Sequence, residues 1–343
     1  MTRMEELRAR WELFVRMDSP EGLCWTLLQL IPAVQANAGS FDEEAILKYR
    51  KRANRVRAYH VFEIPKKRGG FRAIQAPDRE LKTILRALNL ALLLYFEVPA
   101  PVHGFSPGRS VVSGARQHVG KNYVFNIDLK DFFPSITARM VTESLRRIGI
   151  PFQTARFVAD LCTIPGGRSR GLPDVLPQGA PTSPALSNIV CARLDERISG
   201  LASSFGVTYT RYADDLSFSS QYNVYKEGEI FRELLKKIIE EEGFTMNDAK
   251  THLMKKGARQ EVTGVVVNEK ANIPRRWIKN LRAEIHRMRK DGCTKEGWRS
   301  VQGKIHWIRQ VRGYGDPKAM VLEKKLWQTR HQDRKERDIL SDY

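Results

Sequence analysis

Polar and apolar residues alternate on both sides of one tetrapeptide. Val207 and Tyr209 alternate with Thr208 and Thr210, and Leu216 and Phe218 alternate with Ser217 and Ser219. A period of two predicts a β-hairpin with Tyr212-Ala213-Asp214-Asp215 at its turn. Tyr59, Val61, Phe62 and Ile64 begin a second strand-like stretch, and Lys67-Arg68-Gly69-Gly70 is its turn. Residues 59–75 therefore read as another hairpin, with a basic tip. Val124-Phe125-Asn126-Ile127 is a short strand-like run that ends at Asp128.

Helical patterns fill the intervals. Residues 1–50 read as helices, opening with Trp11, Leu13 and Phe14 and continuing through Leu23, Trp25, Leu27, Leu28 and Leu30. Residues 80–97 read as a helix. Thr137 suits the cap of a helix in which Val141, Leu145 and Ile148 share a face. Residues 184–204 read as one helix, with Leu186, Ile189, Val190 and Leu194 on its apolar side. Residues 226–242 read as another, with Ile230, Leu234 and Ile238. Strands interleaved with helices predict an α+β architecture, a sheet packed on helices.

The tail changes the picture because its charge is one-sided. Between Arg275 and Arg312 stand twelve Lys and Arg against Glu284, Asp291 and Glu296. Trp277, Ile278, Leu281, Ile285 and Met288 give this segment one apolar helical face; Trp298, Ile305, Trp307 and Ile308 give it a second. A folded basic helical unit that meets phosphates is the economical reading; a solvated helix usually carries both signs. The whole chain agrees, with a net charge of +19 over 343 residues. Such an excess favours a polyanion, nucleic acid before an acidic membrane surface. No run of eighteen apolar residues is present, and the N-terminus lacks a signal-peptide core. Cys24, Cys162, Cys191 and Cys293 show no metal-binding spacing and fit reduced thiols in a cytoplasmic protein.

Adjacent Asp214 and Asp215 repel each other and need a reason to exist. A divalent cation supplies one, since Mg²⁺ takes hard carboxylate oxygens and keeps water or phosphate as its other ligands. The alternative is a solvated acidic turn. Asp128 adds a third carboxylate at a strand end. A fold that brings the three together has what a two-metal phosphoryl-transfer site requires.

Val124 to Ile136 (VFNIDLKDFFPSI), Leu176 to Pro184 (LPQGAPTSP) and Tyr212-Ala213-Asp214-Asp215 resemble three palm motifs of reverse transcriptases, in family order. Ile64-Pro65-Lys66-Lys67 with Gly69-Gly70-Phe71-Arg72 resembles the fingers hairpin, and His103-Gly104-Phe105 with Gly108-Arg109-Ser110 the next block. Gly243-Phe244 and Asn247-Asp248-Ala249-Lys250-Thr251 resemble the motif after the catalytic hairpin. Val262-Thr263-Gly264 is similar to a triplet of the retron branch. Gly114-Ala115-Arg116-Gln117-His118 stands where retron enzymes show Asn-Ala-x-x-His, with Gly114 in place of Asn.

The resemblance implies a right-hand polymerase fold of fingers, palm and thumb, with an antiparallel palm sheet on helices and a helical basic thumb. The expected division is an N-terminal extension over 1–50, fingers over 51–122 and 150–175, palm over 123–149 and 176–270, and thumb over 271–343. It implies Asp128, Asp214 and Asp215 as metal and catalytic residues of a two-Mg²⁺ site, with Lys250 as the acid for leaving pyrophosphate. Lys66, Lys67, Arg72, Phe133, Gln178 and Gly179 are the implied dNTP contacts; Phe133 would lie under the incoming sugar, where a 2′-OH clashes. His118, Val262, Thr263 and Gly264, with Arg282, Arg287 and Arg289 in the tail, are the expected RNA contacts. Lys250 also reads as a surface ion pair, Phe133 as core, His118 as a structural histidine, and Trp277 and Trp298 as stacking or core residues.

The implied activity is RNA-directed DNA synthesis from a 2′-OH of an associated noncoding RNA, giving branched RNA-linked single-stranded DNA (msDNA). The implied partners are that RNA and its DNA product, dNTPs, an effector protein in anti-phage defence, and host RNase H, since no RNase H or endonuclease segment is visible. The alternatives are another bacterial reverse transcriptase (group II intron-like, diversity-generating or abortive-infection type) and a non-catalytic RNA-binding module on the same fold.

Overall fold

The computed structural model describes residues 18–35, 41–66, 69–167 and 171–341. Its centre is a four-stranded antiparallel sheet in the order β6-β7-β3-β8. These strands are Thr208–Tyr212 (β6), Asp215–Ser220 (β7), Tyr123–Asp128 (β3) and His252–Lys255 (β8). Alternation gives the sheet two unlike faces. Phe125, Ile127, Leu216 and Phe218 are buried in the main core, against helices Ser183–Val190, Ala192–Ser204 and Ile230–Glu241. Asp128, Asn126, Asp215 and Ser217 take the opposite phase, as strand alternation requires.

The hairpin over 59–75 extends slightly further. Tyr59–Pro65 (β1) pairs with Phe71–Pro77 (β2), from Tyr59↔Pro77 to Pro65↔Phe71. Its predicted turn residues Lys67 and Arg68 lie outside the described residues. Two shorter pairs complete the strands: Ile164–Pro165 (β4) with Asp174–Val175 (β5), and Glu261–Val262 (β9) with Val265–Val266 (β10).

Helix Pro20–Val34 buries Leu23, Leu27 and Ile31 in the same core as Leu81, Ile84 and Leu88 of helix Arg79–Tyr95. Trp11, Leu13 and Phe14 lie outside the described residues. Thr137 caps helix Ala138–Arg147 as expected, its Oγ1 accepting the Met140 N–H. Among the described residues no helix is long and apolar enough to cross a membrane.

Two helical expectations need correction. The single helix over 184–204 is two, interrupted at Cys191, where ψ opens to −2°. The helix expected from 226 begins at Ile230, because Gly228 adopts φ +79° and Glu229 is extended. The basic tail forms three helices, Arg275–Asp291, Lys295–Arg312 and Pro317–Ser341, with left-handed glycines at the breaks, Gly292 and Gly313. These helices build a second core from Ile278, Leu281, Ile285, Val301, Ile305 and Ile308. Val112, Ala115, Val124, Val262 and Val265 join it, so the tail is seated on segments beside the sheet.

Candidate active site

β6 and β7 pair up to Tyr212↔Asp215, which leaves Ala213 and Asp214 as a two-residue turn. Ala213 has φ +57°, a conformation that costs a residue with a Cβ about 1 kcal/mol. β3 runs antiparallel to β7 in a register that sets Asp128 directly opposite Asp215. Such partners have Cβ atoms about 5 Å apart. The Leu129 N–H donates to the Asp214 carbonyl at 3.0 Å and ties the end of β3 to the turn. Register and turn thus gather three carboxylates from two distant segments.

Asp128 is 8% exposed and doubly held. Lys250 Nζ donates to its Oδ1 at 2.7 Å and Asn247 Nδ2 to its Oδ2 at 3.0 Å. The Asn247 N–H also donates to the Asp128 carbonyl. The ion pair read for Lys250 is therefore made with Asp128. Burial, then repulsion from Asp214 and Asp128, pushes the Asp215 carboxyl up to about 6. Asp214 is raised as well, chiefly by burial and further by Asp128, against the opposing pull of Lys250 and Arg72.

Charge crowded at this density fits a cation. The Lys250 ammonium already lies against Asp128 where a cation would bind, although no three His, Cys, Asp or Glu side chains among the described residues stand in ligand geometry. Asp128, Asp214 and Asp215 are the residues that would hold a metal.

A cleft of about 880 Å³ opens over this end of the sheet. Lys66 and Arg72 line it from the β1–β2 hairpin, Asp128, Asp215 and Lys250 from the site, and Thr263 and Gly264 from the β9–β10 turn. Asn126, Ser217 and His252 form its floor as register neighbours across β7, β3 and β8. Lys67 lies outside the described residues.

Gln178 and Gly179 sit against β2 and do not line this cleft. The Gln75 N–H donates to the Gln178 carbonyl at 2.9 Å, and a Cβ on Gly179, whose φ is +136°, would stand 2.8 Å from the Gln75 carbonyl oxygen. The close approach that Gly179 permits is therefore to β2. Phe133 is half-buried, its ring 5.4 Å from Phe132 and 6.3 Å from Phe105.

Two expected RNA contacts are corrected. His118 is 0% exposed, and its ring nitrogens share hydrogen bonds of 2.7 Å with Ser219 Oγ and Thr210 Oγ1. A residue sealed against β6 and β7 cannot reach RNA. Burial drives its pKa down to about 3, so the ring is neutral. Val262 is equally enclosed, in the second core. The segments carrying these residues pack on each other: Thr263 Oγ1 donates to the Val111 carbonyl, and Val112 and Ala115 share a core with Val262 and Val265. The β9–β10 turn presents Thr263 and Gly264, at φ +46° and +86°, at the cleft edge. Gly114 has a local reason, since a Cβ there would stand 3.2 Å from the His103 ring.

Arg282, Arg287 and Arg289 are exposed on helix Arg275–Asp291. Lys304, Arg309 and Arg312 form ion pairs with Glu284, Glu323 and Asp316. Trp277 and Trp298 pack against the second core, with Trp298 edge-on to Trp327 at 5.4 Å.

Sequence reasoning passed over Arg211 and Asp195, which form a fully buried ion pair behind the turn. A signal was present. Arg211 shares the inward phase of β6 with Tyr209, and a charged residue in that phase announces a buried partner.

The family described as reverse transcriptase (RNA-dependent DNA polymerase) matches residues 64–280. The retron Ec86 reverse transcriptase of Escherichia coli is 37% identical over 260 residues, covering 75% of this chain and 74% of that protein. This chain belongs to the retron reverse transcriptase family. Two Myxococcus xanthus relatives agree. The retron Mx65 reverse transcriptase is 42% identical over 272 residues, covering 75% of this chain and 62% of that protein. The retron Mx162 reverse transcriptase is 34% identical over 323 residues, covering 85% and 63%. The chain thus spans less than two thirds of the length of either Myxococcus relative.

Among solved structures, a Candida albicans telomerase in complex with a telomeric RNA fragment is similar, with TM-score 0.47, 12% identity, and coverage of 78% of this chain and 56% of that one. A foamy viral protease–reverse transcriptase in complex with double-stranded DNA gives TM-score 0.43 and 15% identity, covering 80% and 44%. The family membership and the antiparallel sheet on helices make the fold a right-hand polymerase fold. Reverse transcriptases as a family use divalent metal ions.

Proposed function

We propose that this chain is an RNA-directed DNA polymerase that copies a retron noncoding RNA into branched, RNA-linked DNA. The observation that carries the reading is the register of β3 against β7, which faces Asp128 with Asp215 beside Asp214 in a cleft rimmed by Lys66 and Arg72. Asp128, Asp214 and Asp215 would hold Mg²⁺. Two such ions, when bound, lower the pKa of the attacking hydroxyl and stabilise the leaving pyrophosphate.

The chain's own groups do the rest. Lys66, Lys67 and Arg72 draw the triphosphate in, through ammonium charge and the guanidinium fork. Phe133 bounds the sugar, and Gln178 and Gly179 hold the pocket wall against β2. Lys250 exchanges Asp128 for the product phosphates and donates a proton to pyrophosphate. Arg282, Arg287 and Arg289 grip the RNA, and Thr263 and Gly264 meet it at the cleft edge. The priming group is an RNA 2′-OH, the partners include an anti-phage effector protein, and host RNase H trims the template.

The test is to purify the protein from cells carrying its native locus and sequence the bound nucleic acid. A single structured RNA joined to complementary DNA through a 2′ branch is expected. Unbranched or heterogeneous nucleic acid would overturn the branched-product reading and leave the family membership intact.

A further inference from the structure

Arg211 stands two residues before Ala213 and is 0% exposed, as is its partner Asp195 on helix Ala192–Ser204. Arg211 Nε and Nη2 donate to the two Asp195 oxygens at 2.8 and 2.7 Å, and Tyr209 Oη donates to the same carboxylate at 2.8 Å. The remaining terminal nitrogen, Nη1, donates to the Ala213 carbonyl at 3.2 Å. The Arg211 main chain is clamped as well: its N–H donates to Pro101, and its carbonyl accepts the His103 N–H at 2.8 Å.

An apolar cluster of the same volume often fills such a place at no loss of stability, so stability alone does not explain a buried ion pair. The bond to Ala213 does. Ala213 is left-handed without being glycine, and its carbonyl belongs to the peptide plane that leads into Asp214. Fixing that oxygen fixes the plane and therefore the direction in which the Asp214 side chain leaves the turn. The helix that carries Asp195 is itself packed into the main core through Leu194 and Ile198. We propose that Arg211, braced by Asp195, is a positioning residue that holds the Ala213–Asp214 turn in its cation-binding conformation.

The inference rests on the reading of Asp128, Asp214 and Asp215 as divalent-cation ligands. Two variants test it. The combination Asp195→Leu, Tyr209→Phe and Arg211→Met replaces the polar cluster by apolar groups and is expected to fold. Arg211→Lys keeps the charge pair but loses the fork that reaches Ala213. Thermal unfolding reports folding, Mn²⁺ titration followed by electron paramagnetic resonance reports cation affinity, and primer extension reports kcat and KM.

Both variants should fold, bind Mn²⁺ about 10-fold more weakly and lose kcat by about 10-fold or more. KM for dNTP should stay within about two-fold, since the triphosphate contacts are untouched. A folded variant with wild-type Mn²⁺ affinity and kcat overturns the inference. So does failure of both variants to fold, which would make the pair a support of the core alone. Wild-type protein that binds Mn²⁺ yet extends no primer counts against the polymerase reading only; the Mn²⁺ comparison still decides the role of Arg211.

Discussion

His118 shows how a residue can be recognised by its context and still take another role. Its ring is neutral because charging it would strand a cation between two hydroxyls inside the protein. The folded pKa lies near 3, below the ordinary 6.5, so between those values the unfolded chain binds the extra proton. Stability from this group is intact above pH 6.5 and falls as pH drops, by about 2 kcal/mol at pH 5. His118→Asn should lower stability at pH 7 yet flatten the decline towards pH 5, read from urea midpoints. Equal slopes in the two proteins would contradict a buried neutral ring. At Phe133, the two roles separate by kinetics. Phe133→Ala should fold and accept ribonucleotides, lowering the ratio of kcat/KM for dNTP over rNTP by about 10-fold or more. An unchanged ratio in an active variant makes the ring a core residue packed on Phe132 and Phe105.

At the scale of elements, the hairpin that carries Asp214 and Asp215 depends on a loop distant in sequence. A Cβ on Gly104 would stand 2.5 Å from the Ala213 nitrogen, against backbone that cannot yield. Gly104→Ala should therefore displace the turn and cut kcat at least about 10-fold. Melting temperature should move far less than activity; a variant with full activity would show that the turn tolerates the shift. Much of this element was legible in the sequence. Alternation through Val207–Thr210 and Leu216–Ser219 fixed the strands, and hence the carboxylates at their junction. What alternation cannot report is which segment covers a face. His118 and Val262 are buried because residues 111–119 and the β9–β10 turn close over the lower sheet, a tertiary event with no local signature. The break at Cys191 is equally silent, since no Gly or Pro marks it. The breaks at Gly292 and Gly313 do carry glycine, and the tail's helical count follows from them once its length is weighed.

For the whole molecule, the proposed division of labour is between a cleft that accepts many sequences and a basic surface outside it that selects the RNA. Base pairs in an A-form stem are hard to read, so recognition there rests on shape, phosphates and unstacked loops. Arg282, Arg287 and Arg289 are exposed on a helix whose apolar face is committed to the second core. Replacing all three by Ala should weaken binding of the cognate RNA and reduce the slope of log K against log salt by about two. Extension on a generic annealed RNA template should persist. Parallel loss of both would identify a general duplex clamp, and no change in either would make the charge a solvated face.

Asp128, Asp214 and Asp215 are proposed to form one cation-dependent polymerisation site. Its most direct test is incorporation of dNTPs on a primed RNA template by purified wild-type protein and by Asp214→Asn, across a Mg²⁺ titration. The swap keeps the side chain's shape and removes one negative charge from the site. Wild-type protein should extend only when Mg²⁺ is present, and the variant should give no product at any Mg²⁺ concentration while still binding RNA. Appreciable extension by Asp214→Asn, or extension by the wild type in excess chelator, would contradict the account.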